Sequence, residues 1–336
     1  MHRRVLASLS LGFSISAICL WYAFRSVDLS AMAGGISRVG VFWVLASVLA
    51  AMFSLVVRAV RWRLLLIGES RVGAWSLLSA TFIGFMANGL LPARLGEVVR
   101  AWVLTRREQT PMPTALASIV VERIFDVIAA LALLGVGLAI VPDLGAGAAS
   151  LLKRSGLIVL TIVMVGIVGL MVVLWYRTKL LNATEQRMVE NHHPWAVRGF
   201  ELLHRFLEGL CVLRSGWQWA LVLALSILVW ITAIGSFQVL ADGFGLGLTL
   251  VQTTLVFVIV LFGVAIPSAP GFVGTFHGFC VAGLSLVAGI EPTKAAAYAT
   301  LLHGSQWLTT IVIGLGCFLM DRSLTWSGMT SVARHG

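Results

Sequence analysis

The chain has 336 residues, of which 59% are hydrophobic and only 11% are charged, and its mean hydropathy is +0.97. A soluble domain has too little interior to bury so much apolar surface, so the composition predicts an all-α polytopic membrane protein and excludes a soluble enzyme. The net charge of +10 is typical of cytoplasmic arginines and of contact with anionic lipid, and no nucleic-acid-binding motif accompanies it.

Two apolar runs at the start of the chain predict two transmembrane helices. The first helix, over residues 5–24, follows Arg3 and Arg4, which place the N-terminus in the cytoplasm by the positive-inside rule. We expect this helix to be retained rather than cleaved as a signal peptide, because it is long and lacks a small-residue cleavage site. The second helix covers residues 41–60. We interpret the basic and aromatic residues at its end as the inner membrane interface: Arg58, Arg61, Trp62 and Arg63.

The next apolar run, residues 75–91, is broken near its end by Asn88, Gly89, Pro92 and Gly96. Arginines precede the run and also follow it, at positions 106 and 107, so both of its ends are predicted to be cytoplasmic. This pattern indicates a re-entrant hairpin that enters from the cytoplasm and turns close to the proline. The alternative is a further full span with the following arginines outside, which positive-inside counting disfavours.

The third helix is predicted over residues 114–140 and carries charges deep in the membrane. Glu122 lies about eight residues, or about 12 Å, from its start. Ser118, Glu122 and Asp126 share one face through i, i+4 spacing, and Arg123 reaches Asp126 at i+3. Ionisable groups at this depth normally pair with one another or face a cavity, so we expect this helix to contribute to a functional site.

The polar segment 177–216 separates a fourth predicted helix, residues 155–176, from a fifth, residues 217–240. Its apolar residues recur near helical spacing, which indicates an amphipathic helix on the cytoplasmic leaflet; a solvated connector is the alternative. A second broken apolar run follows, and a sixth helix at residues 293–320 returns the C-terminus to the cytoplasm. The breaks in that second run lie at Pro267, Pro270, Gly271 and Gly274.

The two halves of the chain share one pattern, in which a broken hairpin stands between two full spans. Residues 41–140 and 217–320 are therefore two predicted pseudo-repeats of a single membrane domain, with six full spans and two re-entrant hairpins in all. The first hairpin is predicted to enter from the cytoplasm and the second from outside, which indicates an inverted repeat. Paired broken segments point to a transporter's midplane site, although helix packing alone would also explain the small residues.

Charged and polar residues near the two breaks define a candidate substrate site. A turn near Pro92 leaves free backbone N–H groups that favour an anion, and the arginine fork suits phosphate. The acidic residues are expected to orient the arginines, bind an amine or carry protons; the alternative is an ion network that only holds the helices in register. The candidate substrate-binding residues are Asn88, Arg94, Glu97, Arg100, Glu122, Arg123, Asp126, His277 and His303, and the hairpin turns are Pro92, Gly96, Pro267, Pro270, Gly271 and Gly274.

His277 and His303 are the histidine candidates in the second half, where Gln306 is a further polar residue. Either histidine can simply hydrogen-bond a neighbouring carbonyl, and the functional alternative is a proton-sensitive group on the outer gate. The four cysteines show no ligand spacing, so neither a metal nor another cofactor is expected.

Three runs carry a family resemblance: NGLLPARLGEVVR at 88–100, ALASIVVERIFD at 115–126 and PSAPGFVGTF at 267–276. They resemble the flippase-like membrane family named after the lysylphosphatidylglycerol synthase transmembrane region, over nearly the whole chain. The resemblance implies lipid translocation through the charged residues of the first two runs. Two positions depart from the family pattern, because Phe272 and His277 stand where a glycine and an acid are common. The chain after residue 320 is short, so we expect no soluble synthase domain and no lysyl-lipid synthesis.

The sequence therefore predicts a lipid flippase or transporter of a bacterial-type inner membrane, which moves an anionic or phosphate-bearing lipid between leaflets. The lipid classes that fit are a phospholipid, a glycolipid, a hopanoid and a polyprenyl carrier. The alternatives are an intramembrane enzyme or accessory subunit acting on a lipid-phosphate carrier, and a scaffold of a lipid-modifying complex. Membrane lipids are the expected partners, with lipid-modifying enzymes added in the last two cases.

Overall fold

The computed structural model describes residues 2–66, 72–91, 95–140, 216–326 and 328–329, with a few positions between 150 and 169. Within these residues the chain is helical and contains no strand, which confirms the predicted all-α class. The predicted linker at 177–216, apart from Gly216, and most of the predicted helix at 155–176 lie outside the described residues. The helices are α1 (His2–Phe24), α2 (Leu29–Ser37), α3 (Val41–Leu65), α4 (Ala74–Leu90), α5 (Gly96–Glu108), α6 (Met112–Ile140), α7 (Gly216–Gly243), α8 (Leu250–Ala265), α9 (Thr275–Ala288) and α10 (Pro292–Leu319).

Several of these helices are long and apolar enough to cross a membrane. Among the described residues, α3, α7, α10 and the segment Pro270–Ala288 meet this condition, and α1 with α2 adds a fifth span if that pair, bent by 83°, counts as one. The helices α4 and α8 are also apolar but shorter, with 17 and 16 residues. The protein is therefore a multi-pass membrane protein, while the count of six spans and two hairpins stays a prediction.

In both halves of the chain, two short helices stand between two long ones. The pair α4 and α5, with 17 and 13 residues, stands between α3 and α6, which have 25 and 29. The pair α8 and α9, with 16 and 14 residues, stands between α7 and α10, which have 28 each. We call α4–α5 the first broken pair and α8–α9 the second broken pair. The helices of each pair pack against each other.

Carboxylates cap two of the helices at their N-termini. Asp28 accepts hydrogen bonds from the Ser30 hydroxyl and from two backbone N–H groups of α2, and these bonds lower the pKa of its carboxyl. Glu291 accepts backbone hydrogen bonds from Thr293 and Lys294 at the start of α10, and the bond from Thr293 contributes most to lowering the pKa of Glu291. Both caps are therefore favoured in the charged form that suits a helix N-terminus.

The first broken pair is closed by a very tight contact between its helices. Gly96 begins α5, and its N–H donates to Asn88 Oδ1 at 2.8 Å, near the end of α4. A Cβ atom added at Gly96 would lie 2.1 Å from the Gly84 carbonyl oxygen, so this close approach requires glycine. The turn predicted here is consistent with the end of α4 at Leu90, but Pro92 and Arg94 lie outside the described residues.

The second broken pair is interrupted at the predicted glycines and prolines. The helix α8 ends at Ala265, and a single 3₁₀ turn, Pro270–Phe272, precedes α9. Gly271 and Gly274 have φ values of 70° and 100°, a region in which a side chain would be strained. The break therefore lies among the predicted residues, and Pro267 is in the non-helical stretch before the 3₁₀ turn.

The two breaks meet on α10. Trp307 Nε1 donates to the carbonyl oxygen of Gly89 in the first pair at 3.3 Å, and the Gly271 carbonyl accepts from His303 Nε2 at 2.9 Å. A Cβ atom added at Gly271 would lie 3.1 Å from the Gly89 carbonyl oxygen, so the breaks of the two pairs lie very close together. We call the residues around Gly89 and Gly271 the tips of the two broken pairs. One helix thus holds both interruptions next to each other inside the protein.

The tight contact at Gly96 gives a direct test of this packing. We expect Gly96→Ala to lower the midpoint of thermal unfolding in detergent, because the new methyl group overlaps the Gly84 carbonyl and such overpacking costs about 1–3 kcal/mol. The matched control is Gly304→Ala in α10, where an added Cβ meets nothing within 4 Å. That control should keep or raise the midpoint, because alanine is the better helix former. Equal midpoints for both variants would contradict the packing.

Candidate functional site

Six charged side chains from three helices form one network inside the protein. The helix α3 contributes Arg58 and Arg61, α5 contributes Arg100, and α6 contributes Glu122, Arg123 and Asp126. Glu122 is fully buried, and four arginines lie within 4 Å of its two carboxylate oxygens. The helix spacing on α6 places both acids on one face, so that arginines from two other helices reach them.

The carboxylates form close ion pairs with the arginines. Glu122 lies 3.1 Å from Arg61 Nη2, 3.0 Å from Arg100 Nη1 and 3.1 Å from Arg123 Nη2. Asp126 accepts from Arg58 Nη1 at 2.7 Å and from Arg61 Nη1 at 2.8 Å. Removing one partner of such a buried pair is costly, because the other charge is then left without compensation in a medium of low dielectric.

The network carries more positive than negative charge. Four arginines face two carboxylates, so two positive charges are in excess when all six groups are ionised. A further carboxylate among the described residues is that of Glu97 of α5, which contacts Asn88 at 3.4 Å and also acts electrostatically on Arg123. Even with this third acid included, one positive charge remains, and this excess favours an anion.

Two tryptophan rings pack near arginines of the network. The Arg100 guanidinium lies 3.8 Å from the centre of the Trp62 ring, and Arg58 lies 5.6 Å from that of Trp230. Trp62 is fixed in turn by a hydrogen bond of 2.8 Å from its Nε1 to Ser118 Oγ. These contacts fix the direction in which the guanidinium groups point.

The sequence interpretation of the end of α3 as membrane interface is wrong for three of its four residues. The helix continues to Leu65, and Arg58, Arg61 and Trp62 are buried in the protein interior. Arg63 alone is exposed, as an interfacial residue would be. The reason is that Glu122 and Asp126 of α6 lie opposite this part of α3 and pair with its arginines.

A cavity of about 340 Å³ borders the network and reaches both broken pairs. Arg58 and Arg123 line this cavity, whereas Arg61 and Arg100 do not. The Arg123 side chain is 40% exposed and that of Arg61 is 0% exposed, so the arginines differ in their access to the cavity. Arg58 and Arg123 pair with the acids and also reach the cavity, whereas Arg61 and Arg100 pair with the acids without lining it. Glu97 and Asn88 complete what we call the charged end of the cavity.

The rest of the cavity is aromatic and neutral. Phenylalanines from α4, α7, α8 and α9 form much of its wall. On the side of α10, the lining includes His303, Gln306 and Trp307. His277 does not line the cavity; it lies behind His303, with the two ring centres 5.0 Å apart.

The structure thus brings together part of the predicted site. The predicted residues Arg100, Glu122, Arg123 and Asp126 belong to the network, and Asn88, Glu97, Gly271 and His303 join Arg123 at the cavity. Sequence reasoning missed Arg58 and Arg61, because both were assigned to a lipid headgroup region. A possible signal was available: these arginines recur at i, i+3 on an otherwise apolar helix, which puts both on one face.

Taken together, the fold and the site define a class: a multi-pass α-helical membrane protein with a buried ion network beside an open cavity. Within that class, the chain belongs to the lysylphosphatidylglycerol synthase transmembrane-region family, whose sequence model matches residues 9–314. This match confirms the family resemblance found in the three motifs.

Two curated proteins show which relatives the chain is similar to. It is 27% identical to glycosyltransferase AglD of Haloferax volcanii over 76% of this chain and 45% of that protein. It is 24% identical to a UPF0104 membrane protein of Methanothermobacter thermautotrophicus over 67% of this chain and 69% of that protein. The chain therefore spans less than half the length of the glycosyltransferase. No solved structure matches the chain.

Glu122 and Glu97 are expected to contribute differently to the stability of the folded protein. We expect Glu122→Gln to destabilise the folded protein by about 3–5 kcal/mol, because Arg61, Arg100 and Arg123 then lose their shared buried partner. The measurement is the midpoint of thermal unfolding in detergent. Glu97→Gln is the matched control, since Glu97 lines the cavity, makes a long contact with Asn88 and forms no ion pair within 4 Å among the described residues. Equal losses for the two variants would show that Glu122 is not the centre of the network.

Proposed function

We propose that the protein moves a lipid with an anionic, phosphate-bearing headgroup between the two leaflets of a bacterial-type inner membrane. One observation supports this most directly: the cavity that borders both broken pairs has a charged end with an excess of arginine. A headgroup would bind in this cavity while its acyl or prenyl chains stay in the bilayer. The protein is then a transporter, and its described residues supply the binding groups without chemical conversion of the lipid.

The charged end suits phosphate more than it suits an uncharged or cationic group. Arg58 and Arg123 face the cavity with planar guanidinium groups that bind two oxygens at once. Glu122 is also held by Arg61 and Arg100, and Asp126 by Arg58 and Arg61, so a ligand can compete for Arg123 without dismantling the whole network. Glu97 is placed to orient Arg123 or to exchange a proton during transport.

The pattern of the helices supports alternating access. We interpret the two broken pairs as re-entrant hairpins from opposite sides and the two halves as an inverted repeat, which places a substrate site at their meeting point. The carbonyls of Gly89 and Gly271 are both hydrogen-bonded by side chains of α10, close to this meeting point. Arg107 of α5 also pairs with Asp321 just after α10, and this contact ties the first pair to the end of the second half. Release of one such contact would allow one side to open.

The transport proposal is tested in proteoliposomes that contain fluorescent phosphatidylglycerol or a fluorescent polyprenyl phosphate. Wild-type protein should speed transfer of at least one of these lipids between leaflets, measured by chemical quenching of the outer leaflet. We expect Arg123→Gln to slow transfer by about tenfold or more, because a charge-assisted hydrogen bond contributes about 1.5–3 kcal/mol.

The matched control is Arg63→Gln on α3, because Arg63 is exposed and does not line the cavity. Its transfer rate should equal that of the wild type. Failure of the wild-type protein to move any of the lipids would count against transport, and equal slowing by both variants would count against the charged end as the binding site.

A second candidate function is that of an intramembrane enzyme, or its membrane subunit, acting on a lipid-phosphate carrier. The similarity to a protein named as a glycosyltransferase favours it, although the match covers less than half of that protein. The two functions differ in their products: an enzyme releases an altered lipid or free phosphate, whereas a transporter returns the same lipid in the other leaflet. Chromatography of the extracted lipids after the vesicle assay separates them.

A further inference from the structure

The cavity has a second end whose chemistry differs from that of the arginines. Its polar groups are Ser236 of α7 and His303 and Gln306 of α10, with the aromatic rings of Phe276 and Trp307 beside them. None of these side chains is acidic or carries a permanent positive charge. We call this group of residues the neutral end of the cavity.

The neutral end is displaced from the charged end along α3. The Gln306 amide nitrogen contacts Ser47 on α3 at 3.4 Å, and Arg58 is eleven residues further along the same helix. At 1.5 Å per residue, the backbones of Ser47 and Arg58 are about 16 Å apart along the helix axis. The two ends of the cavity are closer than this, because the Arg58 guanidinium lies 5.6 Å from the Trp230 ring and Trp307 bonds Gly89, the neighbour of Asn88. A ligand that touches both ends must still be longer than a single phosphate.

The polar groups of the neutral end are held loosely enough to accept a ligand. The Gln306 amide is 3.4 Å from Ser47 Oγ and 3.3 Å from Ser236 Oγ, both long for hydrogen bonds. An amide offers a donor and an acceptor together, which matches a hydroxyl group on a ligand. His303 is better fixed, since it stacks on Phe276 with ring centres 4.6 Å apart and bonds the Gly271 carbonyl.

We infer that the headgroup is a sugar joined to phosphate, with the phosphate at Arg58 and Arg123 and the sugar at Gln306 and Trp307. This inference rests on the transport function proposed above. A sugar ring has an apolar C–H face that packs on an aromatic ring and hydroxyl groups that exchange hydrogen bonds with amides and hydroxyls. An amine headgroup would meet no carboxylate among the described residues of the neutral end. A bare phosphate would leave that end without a ligand.

The inference is tested by equilibrium binding to the full-length protein in phosphatidylcholine nanodiscs. The radiolabelled probes are dodecyl methyl phosphate (called dodecyl phosphate below), dodecyl glucosyl phosphate and dodecylphosphocholine, which share one chain and one phosphodiester group with a single negative charge. We expect the glucosyl probe to bind about tenfold more tightly than dodecyl phosphate, as one or two neutral hydrogen bonds would give. Gln306→Leu should remove this preference and leave the Kd for dodecyl phosphate unchanged, which also shows that the variant is folded.

The matched control is Thr309→Val, three residues along α10, where the side chain does not line the cavity. It should keep the wild-type preference for the glucosyl probe. Ser236→Ala tests the same end independently of Gln306 and should reduce the preference as well. Equal affinity of the wild type for the glucosyl probe and dodecyl phosphate would overturn the inference, and so would tightest binding of the phosphocholine probe.

The same measurements separate failure of this inference from failure of the transport proposal. Arg123→Gln should weaken all three probes, because each carries the phosphate that Arg123 is proposed to bind. If dodecyl phosphate binds and depends on Arg123, while the sugar adds nothing, the sugar inference alone is wrong. If the wild type binds no probe, or Arg123→Gln binds every probe as the wild type does, phosphate recognition at the charged end is wrong, and the sugar inference falls with it.

Discussion

The buried pairing of Glu122 and Asp126 with four arginines is the interaction on which the rest of the structure depends. These acids on α6 attract Arg58 and Arg61 from α3 and Arg100 from α5, so three helices are fixed around one point. In an apolar environment no water replaces a lost partner of an ion, so each of these charged side chains needs its counter-ion for the fold to be stable. The cavity begins where this network is incomplete, at the partly exposed side chain of Arg123.

The sequence predicted the helical class, the two breaks and most of the charged residues, because each has a local signal. Glycine and proline mark a break in a helix wherever they occur, and Glu122 and Asp126 are conspicuous on an apolar helix. The assignment of Arg58 and Arg61 failed for a physical reason. An arginine near a helix end looks the same in the sequence whether it meets lipid headgroups or buried acids from a distant segment, and only tertiary packing decides.

The neutral end of the cavity was harder still to predict from the sequence. Its members come from α7, the second broken pair and α10, and none of them is unusual on its own helix. His277 and His303 were both singled out by type, yet only His303 faces the cavity, because His277 lies behind it against Phe24 and Phe276. Helical periodicity gives the face of a residue but not the neighbour it meets, so such a site emerges only when the helices are assembled.

The indole of Trp307 has a consequence for how the protein can move. It bonds the tip of one broken pair at Gly89, and the space beside it admits only a glycine at position 271 in the other. Neither tip can therefore shift far without disturbing the same side chain. A single aromatic residue would thus act as a mechanical interlock, so that displacement of one broken pair is transmitted to the other.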